Sequence, residues 1–180
     1  MIRHPMLKNI LMAGLLPCLL AGCATSTDPG SIRRIVTVET PEGNVQVLAD
    51  GMPSNVHTLN GSRIVRLWET GELPVPLDIA DDRGATAGNA YRPGFIGSSF
   101  YIADIPPGSD LGNIPMHKQD SLDYIAVMDG EIELVLEDGS LVMGQGDILV
   151  QAGNLHSWVN SSDQYCRLLV VVLTATRGGP

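Results

Sequence analysis

The chain is expected to be all-β, one small β-barrel preceded by extra strands. Three features carry that expectation. Beyond Cys23 no stretch shows the 3.6-residue apolar period of a long amphipathic helix. Short segments rich in Val, Ile and Thr alternate instead with Gly, Pro, Asn and Asp, the punctuation of barrels and sandwiches. In the run Glu131 to Glu137, Ile132, Leu134 and Leu136 face a core while Glu131, Glu133 and Glu137 face water.

Residues 1–22 stand apart. Arg3, His4 and Lys8 make a basic start, Ile10 to Leu20 an apolar stretch, and Leu20-Ala21-Gly22-Cys23 a small-residue cleavage site. The apolar stretch is shorter than the roughly 20 residues of a spanning helix. The segment resembles a bacterial lipoprotein signal peptide, which implies cleavage before Cys23 and lipidation of its thiol. Ala24 resembles the second mature residue of lipoproteins sent to the outer membrane, so the expected address is periplasm-facing and lipid-anchored. Residues 23–31 comprise the lipidated cysteine and a flexible tether. Of three cysteines, Cys18 leaves with the leader and Cys23 carries the lipid. Cys166 alone remains, which leaves no intrachain disulfide and predicts a buried structural thiol. Arg3 and Lys8 also leave, and nine basic residues against 20 acidic ones give a net charge of −11. So acidic a domain, without clustered Lys or Arg, argues against nucleic acid and anionic lipid head groups, and its charge reads as a solubilising surface rather than a binding device.

Along the mature chain, Ile35 to Thr40 and Val45 to Ala49 flank the turn Pro41-Glu42-Gly43-Asn44 as a first hairpin. Arg63 to Thr70 is the next strand, with one face largely buried. Residues 71–98, rich in Pro and Gly, are expected to be a long loop. Phe100 to Ile105 is a strand stopped by Pro106-Pro107-Gly108. Residues 32–107 are thus strands and a loop packing on a barrel core at 108–174, with 175–180 a frayed tail. In the core, Tyr124 to Met128 is a strand, Asp129-Gly130 a tight turn and Glu131 to Glu137 a strand. Asp138-Gly139 is a two-residue hairpin turn. Leu141 to Met143, Ile148 to Val150 and Tyr165 to Leu173 complete the set, with Gly144-Gln145-Gly146-Asp147 as a further turn.

Even separations along an extended segment put His117, Gln119, Ser121 and Asp123 on one face. His156, entered after a glycine turn on another strand, joins them from across the barrel. Two imidazoles and a carboxylate converging there match the donor set that holds iron(II), zinc or manganese with open positions. Asp123 inside an apolar barrel needs donors or a counter-charge, and its other role is to orient a histidine or Tyr124. Gln119 is expected to hydrogen-bond, and Trp158 to wall the pocket beside His156. His57 belongs to a surface loop or to the pocket mouth.

His117, Asp123 and Gly130, followed by Gly146, Gly153, His156 and Asn160, follow the two motifs of the cupin superfamily. Residues 108–173 resemble that superfamily, which implies a double-stranded β-helix of jelly-roll type. In it, three histidines and a glutamate bind iron, manganese, zinc or nickel. Here Gln119 stands for the second histidine, Asp123 for the glutamate and Gln151 for the turn proline. The resemblance implies a reduced metal set of His117, Asp123 and His156, with His156, His117, Asp123 and Tyr124 as catalytic residues. Gln119, Gln151 and Trp158 would bind ligand. Ser121-Leu122-Asp123-Tyr124 and His156-Ser157-Trp158 are similar to a subgroup of small cupins from bacteria and fungal biosynthetic clusters whose members mostly lack an assigned reaction. A homodimer is also implied.

Three functions remain open on these residues. One is a metal-dependent oxygenase, decarboxylase or isomerase. Another is a non-catalytic periplasmic module that binds a small ligand. The third is a metal-free isomerase or dehydratase using His156 or His117 as acid or base beside Asp123.

Overall fold

The structure, a computed structural model, describes residues 31–89, 92 and 94–178. The leader, Cys23 and the tether to residue 30 lie outside the described residues. These form eleven strands and one helical turn: β1 Arg34–Glu39, β2 Val45–Gly51, β3 Val56–Leu59, β4 Ser62–Thr70, α1 Arg83–Thr86, β5 Ser98–Ile105, β6 Ser121–Asp129, β7 Glu131–Leu136, β8 Gly139–Gly144, β9 Ile148–Ala152, β10 His156–Val159 and β11 Cys166–Thr174. They assemble into a six-stranded sheet, β3-β4-β5-β11-β6-β9, a three-stranded sheet, β10-β7-β8, and the separate ribbon β1-β2, all antiparallel. The two larger sheets face each other as a flattened barrel. Its core takes Tyr101, Ile125 and Leu168 from one wall and Ile132, Leu134 and Trp158 from the other.

β11 shows the governing pattern. Cys166, Leu168, Val170 and Val172 are buried at alternate positions, and the residues between them are only half-buried. β4 departs from the single buried face expected of it, because its outer face is also covered. Val65, Leu67 and Ile102 form a second cluster there with Ile32 and Phe100. The long loop also holds more structure than expected. Asp82 caps the single turn α1, accepting from the backbone N–H of Gly84 and Ala85, and pairs with Arg34.

Asp129-Gly130 is the expected tight turn, and because β6 and β7 lie in different sheets it forms a corner between them. Gly130 sits at φ 78°, and a Cβ there would lie 2.5 Å from the Tyr165 carbonyl oxygen, which makes glycine obligatory. The β7–β8 loop is Glu137-Asp138, one residue earlier than expected, because Leu136 pairs with Gly139. Nor is the tail free: Arg177 donates to Asp120 at 2.5 Å and to the Gly153 carbonyl at 2.7 Å.

Asn160 holds another corner. Completely buried, it donates from Nδ2 to the carbonyls of Ile105 and Gln164 at 3.0 and 2.9 Å and accepts from Ser162 Oγ at 2.7 Å. Its backbone pairs with Ser109, which brings the 108–116 loop to the barrel mouth. The next residues reach His117.

Candidate functional site

His117 and His156 are brought together by the main chain. Each donates its N–H to the other's carbonyl, at 2.8 and 2.9 Å, in an isolated antiparallel bridge. Directly opposed residues share a face, and the rings lie with centroids 4.4 Å apart, tilted at 54°. Each ring also finds a carbonyl two residues upstream: His117 Nδ1 lies 2.9 Å from Pro115 O, and His156 Nδ1 lies 3.0 Å from Asn154 O. A carbonyl only accepts, so both Nδ1 atoms carry the proton. Both Nε2 lone pairs are therefore left for other work.

His156 is buried and His117 half-buried. Burial pushes the His156 pKa down, the Asn154 carbonyl opposes this, and the charge of His117 adds to the depression. His156 is accordingly a neutral base at pH 7. Trp158 stands edge-on to it at 6.0 Å and 78°.

Both histidines line a cavity of about 140 Å³ with Asp123, Gln151, Trp158 and Tyr101. Asp123 and Gln151 face each other across β6 and β9 and are 6% and 3% exposed. Asp123 Oδ1 and both polar atoms of the Gln151 side chain have no protein partner. Burying such an atom unpaired costs about 1–3 kcal/mol, a cost accepted mainly where a ligand completes the pairing. Burial raises the Asp123 pKa, against a lowering by the Ser121 hydroxyl and by the His117 charge.

His117, Asp123 and His156, the three metal donors expected from the sequence, all line this cavity. Among the described residues no three His, Cys, Asp or Glu side chains are grouped so as to hold a metal ion.

Two further residues expected at the site are elsewhere. Gln119 keeps the expected alternation, half-buried between exposed Lys118 and Asp120, yet it is not among the residues lining the cavity. Gln119 instead borders a second, open cleft of about 570 Å³ with Lys118, Arg92 and Arg177. Tyr124 follows Asp123 on β6 and so takes the outer face, 43% exposed. His57 is exposed on β3 and does not line the cavity. Sequence reasoning passed over Tyr101, Ser62, Leu59 and Asn60, which do line it. The Asn60-Gly61 dipeptide was a signal: both residues have positive φ, the hairpin signature that folds β3 onto β4 at the cavity.

Comparison with known proteins agrees with this architecture. The Cupin domain family model matches residues 101–172 of this chain. Among curated proteins, phomopsin biosynthesis cluster protein D of Diaporthe leptostromiformis is 41% identical over 51% of this chain and 47% of its own length. The cupin-domain-containing oxidoreductase virC of Hypocrea virens is 34% identical over 77% of this chain and 60% of its own. The chain spans about half the length of these relatives. The cupin domain of Cnp3 from Schizosaccharomyces pombe superposes with a TM-score of 0.52 at 14% identity, over 81% of this chain and 89% of that one, a likeness of fold alone.

Proposed function

We propose that the cavity is the active site of a metal-free acid–base enzyme acting on a small organic molecule. The observation that carries this reading is the histidine pair with both Nδ1 atoms committed to carbonyls and both Nε2 lone pairs free. His156 Nε2 takes a proton from the carbon beside a substrate carbonyl, and the electron pair moves into a new carbon–carbon double bond. Burial favours the protonated form of Asp123, the form that donates to the carbonyl oxygen to give the enol. Return of the His156 proton to another carbon, as the enol O–H gives its proton back to Asp123, completes an isomerisation. Departure of a β-hydroxyl as water with the His156 proton, as the enol O–H gives its proton back to Asp123, completes a dehydration.

The test is solvent deuterium uptake, followed by proton NMR, into a panel of small cyclic ketones and enones. His156→Gln is expected to slow it by about 10²–10⁴-fold, with o-phenanthroline without effect. Uptake that survives in His156→Gln, or that chelation abolishes, overturns the reading.

Relatives named oxidoreductases favour a second reading, in which an oxidant or redox ion joins the cavity. Near-stoichiometric iron, manganese, zinc or nickel in the purified protein, lost in both His117→Ala and His156→Ala, would replace the first reading with this one. Ligand-dependent thermal stabilisation without turnover would leave the non-catalytic binding module instead.

We also infer export and lipid attachment through Cys23, on the basic, apolar and small-residue pattern of residues 1–23. The named relatives are fungal, so the bacterial address is the part to test. Palmitate labelling lost in Cys23→Ser supports it, and labelling absent from the unaltered chain expressed in a Gram-negative host overturns it. The homodimer is retained as a proposal. Ile148 and Val150 lie exposed on edge strand β9, which suits a second copy, and a monomer in sedimentation velocity rules this out.

A further inference from the structure

The polar atoms of the cavity define what it binds, on the reading that this cavity is the working site. Gln151 presents one free donor and one free acceptor side by side, and Asp123 lies directly opposite on the paired strand. No lysine or arginine lines the cavity. Arg66, buried on the same wall, sits over the Tyr101 ring, 5.1 Å from its centroid, and is not among the lining side chains. The remaining lining is apolar or aromatic, from Ile64, Ile125, Val170 and Trp158 among others. A cavity of about 140 Å³ is close to the roughly 150 Å³ that accepts benzene.

We propose that the ligand is a neutral molecule of about benzene size carrying a carbonyl next to an N–H or O–H, the amide, lactam or enolised-dione class, and that the cavity rejects carboxylates. The ligand carbonyl accepts from Gln151 Nε2 while its N–H or O–H donates to Gln151 Oε1, a reciprocal pair that satisfies both orphaned atoms. Asp123 Oδ1 takes the remaining hydrogen or lone pair of the same group. A carboxylate offers no hydrogen to Gln151 Oε1 and would enter without a lysine or arginine counter-charge in the described lining. A plain hydrocarbon of equal size fills the apolar part and leaves the buried polar atoms unpaired, which sites of this kind penalise heavily.

The experiment is calorimetric titration and thermal shift of the full chain at pH 7.5 with benzamide, benzoate and toluene, for the unaltered protein, Gln151→Leu and His57→Gln. Benzamide is expected to bind at least 10-fold more tightly than either benzoate or toluene. Gln151→Leu is expected to lose that preference for amide over toluene and to keep or raise affinity for toluene. His57→Gln, altered at an exposed position outside the cavity, is expected to bind benzamide within about threefold of the unaltered protein. Equal or tighter binding of benzoate, or an amide preference that survives in Gln151→Leu, overturns the proposal. His156-dependent deuterium uptake alongside a failed amide preference would refute this ligand class and leave the acid–base reading standing, and the reverse pattern would do the opposite.

Discussion

Two residues of the cavity pull stability in opposite directions as pH changes. Burial lifts the Asp123 pKa above its ordinary value of 3.8, so between that value and its raised one the folded state binds more protons than the unfolded state. Its contribution is present below the unfolded pKa and lost as pH rises through the folded one. His156 is the converse: burial lowers its pKa below 6.5, and its contribution, present above that value, is lost as pH falls. Urea melts across pH 4 to 8 separate the two. Asp123→Asn is expected to gain on the unaltered protein as pH climbs from about 4, and His156→Gln to gain on it as pH drops below about 6.5. Identical pH slopes in all three proteins would contradict both assignments. The same His156 shift places the acid limb of any turnover below 6.5, since protonation occupies the Nε2 lone pair.

At the scale of elements, the site depends on a turn and on a cross-strand clamp. Gly153, at φ +63°, precedes β10, and a Cβ there would approach the Gln119 carbonyl oxygen to 2.7 Å. Backbone cannot yield as a flexible side chain does. Gly153→Ala is expected to cost about 1–3 kcal/mol and to separate the segments that carry the two histidines. Proton NMR of the imidazoles should then show His156 titrating nearer its ordinary value, while an unchanged titration would mean the turn does not position the pair. The clamp is Asp104 on β5, fully buried, which accepts from Arg167 on β11 at 2.6 Å and from Arg63 on β4 at 2.9 Å. Asp104→Ala leaves these guanidinium groups without that carboxylate, an expected loss of about 3–5 kcal/mol. A melting temperature within about 2 °C of the unaltered protein would show that the ion triad is not stabilising.

For the whole molecule, what was legible follows from what is local. The strands from β6 to β11 could be read because each is a short apolar run bounded by glycine, asparagine or aspartate, and the burial of His156 and Trp158 followed from the glycine turn before β10. Which strands share a sheet could not be read, because Asp129-Gly130 looks the same whether it closes a hairpin or turns a corner. The Tyr165 contact that decides it comes from far along the chain. Spacing did bring His117, Asp123 and His156 to one cavity, but how closely their donor atoms converge depends on contacts between strands that spacing does not carry. The fate of Cys166, by contrast, was settled by its apolar surroundings. It lies on β11, the strand hydrogen-bonded to both β5 and β6, it is 0% exposed, and burial pushes its pKa up to about 12. A thiol so placed reacts only when the central strands part, so it reports the opening of the entire barrel. With Cys18 and Cys23 replaced by Ser, labelling by an aromatic disulfide reagent is expected to be undetectable in native conditions. It should appear in urea at the same midpoint as the loss of circular dichroism. Reactivity well below that midpoint would mean that β11 detaches before the rest, and that the two sheets do not unfold as one cooperative unit.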